Sequence, residues 1–272
     1  AVENKREQPL AFCVVLDRSG SMGGTPLERA KEAAKLTVRN LRTDDQFALV
    51  VFDDEAQTVF PLQQVKDKAA LTRQIEKIRV GGCTNLTGGW MLGRDELQKA
   101  EPGHVRRMLL LSDGHLNVGV VEPDLVGSIV GSGLEADNIR TSTLGFGDGY
   151  DEDLLANLAT RTNGQFYNAN NADKLPAIFE AELDGLQKLS AQNIRVRIKP
   201  LDFCDNLELL GGQPEVALPD GRREFALGDL VSEEGQVACW AMDGLPIPVV
   251  DGQPVVSLEG EGLLEVEVVY DE

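Results

Sequence analysis

Up to about residue 190, short apolar runs alternate with stretches whose apolar residues recur at helical spacing. Residues 10–16, 47–52 and 108–111 are runs of strand length, apolar on both alternating sets of positions, as strands covered on both faces require, and 139–146 is a further strand. Between the first two, Leu27, Ala30, Ala34, Val38 and Leu41 mark one face of a helix, and Thr25-Pro26-Leu27-Glu28 reads as its capping box. Further helices are predicted over 67–78, 90–100, 125–134, 151–160 and 173–189, with a short strand at 165–167. Residues 56–60 form a short strand antiparallel to 47–52, because Asp53-Asp54-Glu55 is of hairpin length. Such alternation predicts an α/β fold: a doubly wound, mostly parallel sheet with helices on both faces. Ligands of such sheets bind beyond the carboxyl ends of the strands, at the topological switch point.

The texture changes after Leu189. Short strand-like runs at 194–198, 208–210, 215–218, 224–227, 236–241, 247–250 and 263–270 are separated by Gly-Gly, Pro-Asp-Gly, Glu-Glu-Gly and Asp-Gly turns. This spacing predicts an all-β, sandwich-like domain. The expected division is therefore 8–189 and 190–272, with residues 1–7 adding an edge strand to the second part.

A formal net charge of −19 argues against nucleic acid and anionic lipid surfaces as partners. No apolar run approaches the ~20 residues of a membrane-spanning helix, and residues 1–8 are polar, without the pattern of a signal peptide. Cys13, Cys83, Cys204 and Cys239 form no CxxC pair, which excludes a zinc ribbon. A large chain with so few cysteines suits a reducing compartment, and a cytoplasmic location is expected. The spacing leaves open whether Cys204 and Cys239 pair.

The chemistry concentrates where strands end. Asp17, Ser19 and Ser21 place one carboxylate and two hydroxyls at every second residue directly behind the apolar run 10–16. Gly81-Gly82-Cys83-Thr84-Asn85-Leu86 is a glycine-rich loop before a helix and offers the Thr84 hydroxyl. Leu109-Leu110-Leu111-Ser112-Asp113-Gly114 is a strand followed at once by a carboxylate. If strands 10–16 and 108–111 are neighbours, Asp17, Ser19, Ser21, Thr84 and Asp113 converge at one edge. Hard oxygen donors without His or thiolate favour Mg²⁺, Mn²⁺ or Ca²⁺ over Zn²⁺ or Cu²⁺. Two negative charges do not enclose a divalent ion, so a position remains for water or a ligand group.

In these segments the sequence resembles the von Willebrand factor A domain family, closest to its bacterial and inter-α-inhibitor-like members. The hallmark of that family is the metal-ion-dependent adhesion site (MIDAS), Asp-x-Ser-x-Ser with a downstream Thr and a downstream Asp, which Asp17, Ser19, Ser21, Thr84 and Asp113 match in order. Thr143-Leu144-Gly145-Phe146-Gly147 is similar to a further family signature, and the resemblance covers about residues 8–189. It implies that Ser19, Ser21 and Thr84 ligate an ion through hydroxyls. Asp17 and Asp113 would bind directly or through water, and a Glu or Asp from a partner protein would take the open position. In several relatives this coupling shifts the last helix, here near 173–189. Bacterial relatives also often work beside a MoxR-type ATPase. Cys83 departs from the usual Gly or Ser and sets a thiol near the rim.

Taken alone, Asp17, Ser19 and Ser21 also suit a helix-capping turn; with Thr84 and Asp113 a metal site is the better reading. The expected function is adhesion or complex assembly through the cation. A structural module whose cation only stabilises the fold is the alternative. An aspartyl-phosphate phosphatase would want a second acid at position 19, which is Ser. No nucleophile elbow, P-loop or dinucleotide loop is present, so no enzyme is expected. Asp148, Asp151, Glu152 and Asp153 read as a cap and first-turn acids rather than a calcium site. His115 reads as a loop residue, Trp90 as core, Asn85-Leu86-Thr87 as an unmodified sequon, and Arg106-Arg107 as a solvated strand entrance.

Overall fold

The computed structural model of the chain describes residues 8–113, 117–146, 150–169, 171–187, 189–201, 204–209, 215–231, 240–244, 249–250, 253–254 and 264–271. The chain divides into two compact units, Ala1–Gln187 and Lys188–Glu272. The contribution expected of residues 1–7, together with His115, Asp148 and Cys239, lies outside the described residues.

The first unit is built on six strands: β1 (Leu10–Asp17), β2 (Gln46–Phe52), β3 (Ala56–Gln64), β4 (Val105–Ser112), β5 (Arg140–Phe146) and β6 (Phe166–Ala169). They lie in the order β3-β2-β1-β4-β5-β6, all parallel except the β2–β3 hairpin. The chain moves outward from β1 to β2 and β3, then returns to β4 on the other side of β1. The switch point therefore falls between the carboxyl ends of β1 and β4.

Six helices cover the sheet: α1 (Thr25–Asn40), α2 (Lys68–Glu76), α3 (Leu86–Leu97), α4 (Pro123–Asp137), α5 (Glu152–Arg161) and α6 (Leu175–Gln187). Adjacent residues of β5 reach opposite layers, as strand pleating demands. The Ser142 hydroxyl donates to Glu182 of α6, and the Thr143 hydroxyl donates to the Leu155 carbonyl of α5. On the α5 side, Cys13 and Val15 of β1 join Val50, Phe52, Met108 and Leu110 in one core with Trp90 of α3, Val126 of α4 and Leu158 of α5. The Trp90 indole N–H donates to the Thr141 hydroxyl at 3.0 Å, so this ring is core, as its helical position predicts.

Helix α3 lies unusually close to the sheet because its inner face carries glycines. A Cβ at Gly89 would come within 2.6 Å of Phe52 Cδ1, and one at Gly93 within 2.6 Å of Val15 Cγ2 and 2.9 Å of Met108 Cε. Alanine would gain about 1 kcal/mol of helix propensity, yet overpacking a filled core costs about 1–3 kcal/mol. Gly89→Ala and Gly93→Ala are each expected to lower the urea midpoint. A midpoint that rises would mean the helix is free to lift away.

Three sequence expectations need correction. The Thr25 capping box does not form. Gly24, at φ 84°, is the N-cap and Thr25 already has helical backbone, so no side-chain cap bond is made. Helix α3 begins at Leu86 rather than near Trp90, because the Asn85 side chain caps it by accepting from Gly88 N. Arg107 is buried rather than solvated: β4 runs through the middle of the sheet, and the guanidinium donates to the Arg106 carbonyl. Asp151 does cap α5, accepting from Leu154 N at 3.0 Å.

The second unit is antiparallel, as its turn-punctuated pattern predicts. Its strands are β7 (Leu189–Pro200), β8 (Cys204–Leu209), β9 (Glu215–Ala217), β10 (Arg223–Val231), β11 (Trp240–Gly244), β12 (Val249–Val250), β13 (Gln253–Pro254) and β14 (Leu264–Asp271). Among the described residues they form a four-stranded sheet, β14-β7-β10-β9, and two two-stranded pairs, β8–β11 and β12–β13. Val196, Ile198 and Phe225 are buried together on one face of the larger sheet. On the other, Arg197 bridges two neighbouring strands, to Glu224 at 2.7 Å and Glu267 at 3.4 Å.

Candidate metal centre

The pairing of β1 with β4 sets Leu16 opposite Leu111, so both strands end side by side. Asp17 closes β1 with its carboxylate fully buried. Its Oδ2 accepts from the Ser112 hydroxyl at 2.7 Å, and its Oδ1 accepts from the Ser19 backbone N–H at 2.8 Å. One oxygen is thus fixed by the neighbouring strand and the other by the following turn.

The chain then enters a 3-10 turn, Gly20–Met22, anchored by the buried Met22 side chain. This turn brings Ser19 Oγ and Ser21 Oγ to 3.1 Å, and Ser21 Oγ donates to Asp113 Oδ1 at 2.8 Å. Four of the five sequence-predicted residues thus share one hydrogen-bonded cluster. Thr84 stands in the adjoining loop, which lies against the turn: Gly81 N donates to Arg18 O at 2.7 Å, and Gly20 N donates to Gly82 O at 2.8 Å. Thr84 is buried, and its N–H donates to the Asn117 side chain at 2.8 Å. The loop must be glycine at its closest approach, since a Cβ at Gly81 would fall 1.8 Å from Asp53 Oδ2.

Sequence reasoning missed Ser112 and Asn117. Ser112 was visible as the residue before Asp113, yet its bond to Asp17 depends on strand pairing. Asn117 acts across 33 residues and has no local signal.

Burial pushes the Asp17 carboxyl up to about 6; the nearby Asp113 charge adds to the rise, and hydrogen bonds from Ser19 and Ser112 oppose it. Burial also raises Asp113, against the Ser21 hydrogen bond. Among the described residues no Lys or Arg pairs with either carboxylate; Arg18 is engaged by Asp53 at 2.9 Å. One buried and one half-buried acid without a described counter-charge are poorly accommodated unless a cation joins them. The donors present are carboxylates and hydroxyls, the set that suits a hard divalent ion. Cys83 is exposed, and a hydrogen bond to Asp54 raises its thiol pKa. Asn85, in the sequon, uses its side-chain amide to donate to the Asp54 carbonyl.

The chain spans less than half the length of the two curated relatives described here. An uncharacterized protein, sll0103, of Synechocystis sp. is 31% identical over 199 residues, covering 73% of this chain and 47% of that protein. Inter-alpha-trypsin inhibitor heavy chain H2 of Mus musculus is 32% identical over 173 residues, covering 60% of this chain and 18% of that one. Among solved structures, a von Willebrand factor type A protein from Catenulispora acidiphila superimposes with a TM-score of 0.71 at 17% identity, covering 83% of this chain and 56% of that one. Proximal thread matrix protein 1 from the mussel byssus, solved with a zinc-occupied MIDAS motif, gives a TM-score of 0.59 at 22% identity, covering 69% of this chain and 50% of that one. These share the fold, whose members commonly mediate metal-dependent protein interactions, often with a divalent ion at the MIDAS, and are typically not enzymes. The von Willebrand factor type A domain model matches residues 12–181, over the sheet whose switch point carries Asp17 and Asp113, and the chain belongs to that family.

Proposed function

We propose that the chain is a divalent-cation-dependent protein-binding module, used in adhesion or in assembling a complex, and not an enzyme. Asp17, Ser19, Ser21, Thr84 and Asp113 would hold the ion, Mg²⁺ in the first instance and Mn²⁺ or Ca²⁺ as alternatives. When bound, the ion supplies a Lewis-acidic position that a Glu or Asp of a partner protein completes. The observation that carries this reading is the pair of carboxylates, Asp17 and Asp113, linked through two serine hydroxyls at the switch point with no Lys or Arg paired to either among the described residues. Zinc at the MIDAS of the mussel protein supports the same use of this fold. The residues themselves orient the acceptors: Ser112 and the Ser19 N–H fix Asp17, and Ser21 fixes Asp113.

A second reading, a cation that only stabilises the fold, is favoured by the Ser112–Asp17 bond, which ties β4 to β1 at the site. Mn²⁺ titration with water-proton relaxation separates the two. A binding module holds one Mn²⁺ that keeps exchangeable water, and the enhancement drops when a glutamate-containing peptide takes that position. The Ser19→Ala, Ser21→Ala double variant loses the ion and stays folded. Full dehydration of the bound Mn²⁺, or a double variant that fails to fold, would overturn the binding reading in favour of the structural one.

A further inference from the structure

The edge that carries the metal centre holds more exposed acids than cations among the described residues. Asp54 and Glu55 are exposed in the β2–β3 turn, Glu122 and Asp124 where α4 begins, and Glu152 and Asp153 where α5 begins. The topology places all three turns at the carboxyl edge of the parallel strands. Acids in the first turn of a helix answer the helix dipole. Asp54 and Glu55 sit on a strand hairpin, where no dipole requires them. Of the described cations near this edge, Arg18 is engaged by Asp53 at 2.9 Å, and the exposed Arg79, two residues before Gly81, donates to the Glu76 and Ile78 carbonyls at the end of α2. Arg42, Lys99, Arg106 and Arg161 lie at the opposite edge, where β4 starts and α1, α3 and α5 end, whereas Lys77 and Arg79, after α2, lead into the metal-centre loop.

Apolar surface lies within the same rim. The segment after Asn117 packs along the Thr84 loop, with Val120 N donating to Thr87 Oγ1 at 3.2 Å. It ends in Val121, 39% exposed, followed one helical turn on by Leu125, 51% exposed.

We infer that the partner presents its carboxylate within a basic segment, Lys or Arg flanking the acid and an apolar residue beside it, rather than within an acidic one. The inference rests on the carboxylate-bridging function proposed above. With a divalent ion in place, the charges of Asp17 and Asp113 are balanced and the rim remains negative. A bare carboxylate approaching that rim is repelled, whereas flanking cations meet Asp54, Glu55, Glu122 and Asp124 and also speed encounter. Val121 and Leu125 offer the apolar neighbour a surface to cover.

The test uses the whole chain in Mg²⁺ and surface-displayed peptides with a central Leu-Glu pair. Their flanks are Lys/Arg, Ser, or Asp/Glu, each made again with the Glu replaced by Gln. The Lys/Arg-flanked Glu peptide is expected to bind on the order of tenfold tighter than the Ser-flanked one at low salt, with the advantage shrinking as salt screens exposed pairs. EDTA, or Gln in place of Glu, abolishes that binding. The D54N/E55Q/E122Q/D124N variant keeps Mg²⁺- and Glu-dependent binding and loses the preference for basic flanks. Equal or tighter binding of the acidic-flanked peptide overturns the inference alone and leaves carboxylate bridging standing. Basic peptides that bind equally well with Gln or in EDTA overturn it as simple charge attraction. No Mg²⁺-dependent binding by any peptide overturns both this inference and the function on which it rests.

Discussion

Millimolar Mg²⁺ raises the melting temperature of the EDTA-treated chain by roughly 5–10 °C at pH 7.5, and the Ser19→Ala, Ser21→Ala double variant shows no rise. An ion at about 100 times its dissociation constant adds about 2.7 kcal/mol to the state that binds it. For a domain of this size each kcal/mol is worth about 2–4 °C. The pH dependence carries a second signature. Burial holds the Asp17 carboxyl near 6 in the folded, ion-free chain, above its ordinary value of 3.8. A raised folded value means the ionised form is the costly one. The ion-free chain is therefore relatively stabilised below about 4 and loses that stability as pH rises through 6, by up to about 3 kcal/mol. The bound ion has the opposite preference, since it needs Asp17 ionised. The Mg²⁺ effect should consequently be large at pH 7–8 and small at pH 5, and Asp17→Asn should flatten the ion-free profile. Melting curves at four pH values, with EDTA and with Mg²⁺, check all of this. An ion-free profile indistinguishable from that of Asp17→Asn, with no Mg²⁺ shift at any pH, would remove the basis for a metal centre here.

The parts of this centre legible in the sequence are those that local pattern writes down. Asp17, Ser19 and Ser21 follow a buried strand at two-residue spacing, and Asp113 ends a second such strand. Once alternation of strand and helix implies a parallel sheet, both must emerge at its carboxyl edge. What was not legible depends on contacts distant in sequence. Ser112 bonds Asp17 across 95 residues, and Asn117 holds the Thr84 loop across 33. Arg107 looks solvated beside Arg106 in sequence, yet β4 lies between β1 and β5, where every position but Arg106 is buried. Gly88-Gly89 reads as loop by propensity, whereas close packing against Phe52 is what calls for Gly89 inside α3. In the second unit the alternation of Arg195, Arg197 and Lys199 with apolar residues identifies β7, but not that its neighbours are β10 and β14.

Glu182→Ala is expected to destabilise the first unit by about 3–5 kcal/mol, while Glu182→Gln costs about 1–2. Glu182 is a buried carboxylate on α6, accepting at 2.7 Å from the Ser142 hydroxyl of β5 and at 2.7 Å from the Tyr167 hydroxyl of β6. The buried Arg107 guanidinium acts on it from β4 and favours its charge, against the larger effect of burial, which raises its pKa. Removing the carboxylate strands two hydroxyls and takes the counter-charge from a buried cation. Breaking a buried pair from one side is far more damaging than its net contribution suggests. Glutamine keeps an acceptor for Ser142 and a polar group that Tyr167 can bond, losing chiefly the attraction to Arg107. Because Glu182 sits higher in the folded chain than in the unfolded one, the ionised form is the penalised form at neutral pH. The parent therefore gains stability from this group as pH falls toward the ordinary glutamate range, and Glu182→Gln does not. Urea unfolding at pH 5 and pH 7.5 measures both effects. Near-equal midpoints for the Ala and Gln variants would show that α6 is held by its apolar face alone, through Leu175, Phe179 and Leu183. A large gap between them would show that a polar anchor fixes where α6 rests against β5 and β6. Since α6 also packs on α1, the helix that follows the Ser19–Ser21 turn, that anchor helps set the frame in which the metal centre is held.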